Sequence, residues 1–78
     1  MKAGDYVTAV PVSEKFRELH PTVTGRLDII SFELMGDTIF THHVVVNLKD
    51  GTEVHVDVEE GSLRAASPGR HPQTVLQD

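Results

Sequence analysis

The chain has 78 residues, no cysteine and a formal net charge of −5. A domain this small buries only about 60% of its unfolded surface, and the lack of thiols excludes disulfide staples and thiolate metal sites. No basic-then-apolar leader is visible and no apolar run approaches the ~20 residues of a membrane span, so a soluble, cytoplasmic protein is the expectation.

Gly4-Asp5 reads as a turn, and the alternating run Asp5–Val10 as a first strand that Pro11 ends because it lacks an N–H. Ser13 then suits the N-cap of a short helix from Glu14 to Leu19 or His20, with Glu14 at the positive end of its dipole. Phe16 and Leu19 are expected to pack down together, and Pro21 stops the helix. Residues 22–34 form a second strand region. Leu27 and Ile29 share one parity while Ile30, Phe32 and Leu34 share the other, which predicts a bulge or bend between Ile29 and Ile30.

Gly36-Asp37 marks the next turn, followed by strands over 38–48 and 52–58 joined through Asp50-Gly51. A two-residue loop would mix apolar and charged side chains on each face of that hairpin. A three-residue loop, Lys49-Asp50-Gly51, sorts them. Val46 then faces Val54, Val44 faces Val56 and His42 faces Val58 on one side. On the other side His43 faces Asp57, Val45 faces His55 and Asn47 faces Glu53. A slip by one residue reverses every side chain, so the sorted register is the prediction, with Gly51 in the left-handed conformation of a G1 bulge. A tight turn over 59–62 and a short strand over 63–66 follow, and the turn-rich, apolar-poor residues 67–78 read as a flexible C-terminal tail.

Charge is uneven along this order. Residues 28–60 carry one base and eight acids, whereas residues 1–27 carry four bases and three acids. An acidic sheet argues against direct nucleic-acid binding, which needs a basic face, and favours a basic protein partner. The long excursion between strands one and two, residues 13–20, is a second candidate contact surface. Together these give Lys15, Arg17, Glu53, Asp57 and Glu59 as candidate partner-binding residues. His43, His55 and Asp57, on one hairpin face, are the alternative as ligands of a transition metal or as a pH-responsive set; a solvated polar face is the plainer reading. His42 falls with the apolar side, at a rim or buried. No nucleophile motif, phosphate loop or enclosed carboxylate pair occurs, so neither enzyme activity nor a cofactor is expected.

Gly4-Asp5-Tyr6-Val7 at the start, with Asp50-Gly51-Thr52-Glu53-Val54 leading to Ser62-Leu63-Arg64, resembles the SH3-like barrel group, closer to KOW and Tudor-type barrels than to signalling SH3 domains. The resemblance spans about residues 3–66. It implies a mainly β, five-stranded SH3-like barrel over 1–66 with one short helix in its first long loop, and a role in binding proteins or nucleic acids. A Tudor-type cage needs aromatic side chains, of which only Tyr6, Phe16, Phe32 and Phe40 are available, and Phe32 and Phe40 fit the core. The expected function is a non-catalytic protein-binding adaptor or regulatory module, modulating a nucleic-acid enzyme in its more specific form. The alternatives are a KOW-like accessory domain and the metal- or pH-responsive module. Either a monomer or a dimer paired through strand edges is compatible with this reading.

Overall fold

The computed structural model describes residues 1–77. In chain order it contains β1 (Tyr6–Ala9), α1 (Glu14–Leu19), β2 (Val23–Leu34), β3 (Asp37–Leu48), β4 (Glu53–Asp57), a 3₁₀ turn (Glu60–Ser62), β5 (Arg64–Ala65) and β6 (Val75–Leu76). The protein is mainly β. The strands form one sheet in the order β4-β3-β2-β1-β5, antiparallel throughout, with β6 lying parallel to the end of β3.

The core lies on one side of this twisted sheet. Val7 and Ala9 of β1, Val23 and Leu27 of β2, Val44 and Val46 of β3, Val56 and Val58 from the β4 strand line, and Leu76 of β6 are buried together. Phe16, Ile29, Leu48, Val54 and Leu63 pack around them. Valine dominates because a β-branched side chain fits a half-buried pleated surface at little rotamer cost.

The β3–β4 hairpin forms in the predicted register, with Val46 opposite Val54, Val44 opposite Val56, and His43 opposite Asp57. Leu48 N–H donates to the Thr52 carbonyl at 2.8 Å and Gly51 N–H to the Leu48 carbonyl at 3.0 Å, which closes the three-residue loop. Gly51 has φ 88°, as the bulge requires.

The expected bend between Ile29 and Ile30 is absent. β2 pairs with β3 without interruption from Arg26–Val45 to Leu34–Asp37. The parity change instead marks where the strand leaves the core. Ile29 still packs on it, whereas Ile30, Phe32 and Leu34 face outward on a projecting two-stranded arm. Phe32 and Phe40 are therefore not core residues; they are 45% and 61% exposed. A turn with positive φ at both Met35 (51°) and Gly36 (86°) ends the arm. Such a turn matches the right-handed twist of its strands.

The real change of direction occurs at Gly25. It pairs with Val7 of β1, and a Cβ there would sit 2.2 Å from the Val45 carbonyl oxygen. Only glycine permits β2 to run that close to β3 while turning away to pair with β1.

The resulting gap is filled by the C-terminal segment, which corrects the expected boundary. Residues 67–78 are expected as a flexible tail outside a 1–66 domain, but within them His71 and Thr74 bond to β1 and β2, and Val75–Leu76 join the sheet. Tyr6 Oη donates to the His71 carbonyl. Thr24 N–H donates to Thr74 Oγ1, and Thr74 N–H returns a bond to the Thr24 carbonyl, both at 2.9 Å. Val75 and Leu76 then pair with Asn47 and Leu48, and Leu76 is buried. Only Asp78 of this segment lies outside the described residues. The sheet thus has six strands where five were expected. Polar composition concealed this because the segment is held largely by backbone bonds and a single apolar anchor.

The sheet does not close into a complete barrel. Beyond their ends, β1 and β4 meet through one bridge, Pro11 with Val58. The Val12 N–H donates to the Asp57 carbonyl and the Glu59 N–H to the Val10 carbonyl, both at 2.9 Å.

Two substitutions test this arrangement. Leu76→Ala is expected to cost about 2–3 kcal/mol, lowering Tm by roughly 10 °C or more in a chain of this size. An unchanged Tm in thermal denaturation would show that β6 contributes nothing to the fold. Gly25→Ala, which adds a methyl group against backbone, is expected to cost about 2–3 kcal/mol in the same assay, although alanine is intrinsically better suited to a strand than glycine.

Candidate functional site: a groove between α1 and β4

β4 ends the strand order, so one of its edges is open. Val58 N–H donates to the His42 carbonyl. By the alternation of an antiparallel ladder, the peptide groups of Val54 and Val56 also face β3, while those of Glu53, His55 and Asp57 face the open edge. The Asp57 carbonyl already uses that edge to accept from Val12. The N–H and C=O of His55 and Glu53 present a short template for another extended chain.

Beside this edge lies a groove of about 440 Å³, lined by Val12, Ser13 and Phe16 on one wall and Val54, His55, Val56 and Asp57 on the other. Its first wall depends on a local device. Ser13 caps α1 as predicted, its Oγ accepting from the Phe16 N–H at 3.2 Å. Arg17 folds back, its Nη1 donating to the carbonyls of Pro11 at 3.0 Å and Val12 at 3.2 Å. These bonds hold the chain entering the helix against the end of β4. Phe16 packs toward the core as expected, but Leu19 does not; it is 79% exposed. A helix of six residues offers the sheet end only a narrow contact, and His20 takes the place beside Phe16, with ring centroids 5.2 Å apart.

The candidate residues fall into distinct surroundings. Lys15 is exposed on α1. Arg17 is half-buried and 3.6 Å from Glu59, which joins the 13–20 loop to the segment between β4 and the 3₁₀ turn. Glu53 is 3.6 Å from Arg26. The acidic face is thus partly neutralised by arginines from elsewhere in the chain. Exposed pairs of this kind are worth about 0–1 kcal/mol each, so they set local charge rather than stability. Arg26 was not anticipated, yet its parity in β2 places it on the same outer face as Asp28, and strand alternation carries that signal.

The three proposed metal ligands are neighbours, but they are already engaged. His43 Nδ1 lies 2.9 Å from Asp57 Oδ1, out of line for a well-formed hydrogen bond. Its Nε2 is 2.9 Å from Thr41 Oγ1. His55 Nδ1 turns instead to Asp28 Oδ2 at 3.5 Å, and the two imidazole rings meet edge to face with centroids 6.1 Å apart. No group of three or more potential ligands converges on a metal position among the described residues. His42 is half-buried, on the rim of a second, slightly smaller depression with Val12, Phe40 and Val58.

Asp50 fixes the turn that delivers β4 to the groove. A hydrogen bond with the Thr52 side chain, followed by one from the Thr52 N–H at 2.9 Å, holds its carboxyl below the ordinary carboxylate value. No helix among the described residues is long and apolar enough to cross a membrane. No family model, curated protein or solved structure matches the chain.

Because the folded-state pKa of Asp50 is depressed, its contribution to stability is present above the unfolded value and lost as pH falls through the folded one. Thermal unfolding followed between neutral pH and the acid range should therefore show Asp50→Asn losing less stability than the parent protein across that window. Parallel pH curves for the two would remove the turn from the acid response.

Proposed function

We propose that this chain is a non-catalytic protein-binding module whose site is the groove between α1 and β4. The partner is an extended segment that adds to the open edge of β4. It places apolar side chains against Val12, Phe16 and Val54, and basic side chains near Glu53, Asp57 and Glu59. The observation that carries this reading is the groove itself, which joins the two surfaces singled out by sequence, the 13–20 loop and the acidic hairpin, along one free strand edge. Strand addition of this kind takes affinity from main-chain hydrogen bonds and specificity from alternate side chains.

In the same reading the sheet is an SH3-like barrel with its mouth left open beside β4. The meander from β1 to β4, the return of β5 to β1 and the Pro11–Val58 bridge support that description. A basic groove on a nucleic-acid enzyme is the more specific class of partner. The acidic character of residues 28–60 favours it over nucleic acid itself.

The test is an amide-shift NMR titration with a synthetic decapeptide alternating lysine and valine, alongside its glutamate–valine counterpart. Expected are shifts at the amides of Glu53, His55 and Phe16 with the lysine peptide, and much weaker ones with the glutamate peptide. Glu53→Lys together with Glu59→Lys should weaken binding roughly tenfold and flatten its salt dependence. Equal affinity for both peptides, or no effect of the double charge reversal, would overturn the acidic-groove reading.

A further inference from the structure

The β2–β3 arm presents an apolar surface that the groove does not use. From Ile30–Thr41 to Leu34–Asp37, five paired rows extend past the last partners in β1 and β4. They contribute to a long dimension of 40 Å in a molecule only 25 and 22 Å across. Its two faces differ. One carries Ser31, Glu33, Thr38 and Phe40. The other carries Ile30, Phe32, Leu34 and Ile39, with Thr41 and Asp37 at its ends. Ile30, Phe32 and Leu34 are 42%, 45% and 51% exposed, and Met35 at the tip is 96% exposed.

A two-stranded ribbon standing alone in water is marginal; it needs a further layer on its apolar face. We propose that a second copy of this chain supplies that layer, the two arms stacking face to face about a two-fold axis through the Phe32–Ile39 row. An axis perpendicular to the strands and lying between the faces sets β2 over β2 and β3 over β3, running in opposite directions. Phe32 then meets Phe32 and Ile39 meets Ile39. Leu34 covers Ile30 of the second copy, and Asp37 meets Thr41, a hydroxyl, rather than another carboxylate. Glu33 points away, on the opposite face.

The surface is thus complementary to itself, as an isologous interface must be. The exposed apolar strip is small, so the pair reaches at most the lower end of a specific interface. The arms carry Glu33 and Asp37 and no basic residue between positions 28 and 41, which disfavours an anionic lipid surface as the cover. Stacking through the arms leaves the open edge of β4 free for a peptide.

A weak dimer is the expected result, with a dissociation constant on the order of 10–100 μM. Sedimentation equilibrium of the full chain should show the mass rising with concentration from 8.6 kDa toward twice that value. Phe32→Ser combined with Leu34→Ser should weaken association at least tenfold, with circular dichroism confirming that the fold is kept. Because the chain has no cysteine, single substitutions locate the contact. Phe32→Cys, on the axis, should cross-link to a dimer with a short bifunctional thiol reagent that spans stacked sheets, whereas Ser31→Cys, one residue away on the other face, should not. A mass of one chain up to millimolar concentration, or equal cross-linking of the two cysteine variants, overturns the proposal.

Discussion

The approach of β2 to the Val45 carbonyl at Gly25 is the constraint on which the rest of the structure depends. Before it β2 pairs with β1 alone; Arg26 and Leu27 are bonded on both sides, and from there on β2 pairs with β3. Without that change of partner the strands would form a flat meander, with no concave side on which Val7, Leu27, Val44 and Val56 could meet. The divergence also opens the slot between Thr24 and Asn47 that the C-terminal segment enters. A single missing Cβ thus permits the close approach around which the curved sheet, its core and its sixth strand are arranged.

What was legible in the sequence follows from how local each signal is. The β3–β4 hairpin could be read to the residue because Val44, Val46, Val54 and Val56 sort cleanly from His43, His55 and Asp57 in only one register. The cap at Ser13 was equally local. The arm was not legible, because alternation shows which residues share a face but not whether that face finds a cover. Ile30, Phe32 and Leu34 therefore looked like core while facing solvent. The docked C-terminal segment was missed for the opposite reason, since main-chain bonds around Thr74 leave no mark on composition. Gly25 did carry a signal, for a glycine inside a strand often marks a close approach of backbones.

The candidate site was legible in its parts and not in its assembly. Sequence placed Glu53, Asp57 and Glu59 on or just after one strand and Lys15, Phe16 and Arg17 on one loop. That the loop folds onto the end of that same strand depends on the Pro11–Val58 bridge and on Arg17 binding the Pro11 and Val12 carbonyls. The bridge joins residues more than forty positions apart, and the arginine contacts shape the loop that reaches it. The charge count also overstated the acidity of the surface, because Arg17 and Arg26 lie within ion-pair distance of Glu59 and Glu53.

The position of β6 bears on how the protein is made. A chain emerging from the ribosome folds from its N-terminal end first, at about 5–20 residues per second, and the local meander from β1 to β4 can form as it appears. The slot beside Gly25 is filled by residues 74–76, however, which are distant in sequence from the strands they cover. Until they dock, Val46 and Leu48 lack their cover and the end of β3 lacks its parallel partner. Docking of Val75 and Leu76 is thus the step that seals the interior of a sheet whose other strands are local neighbours in the chain.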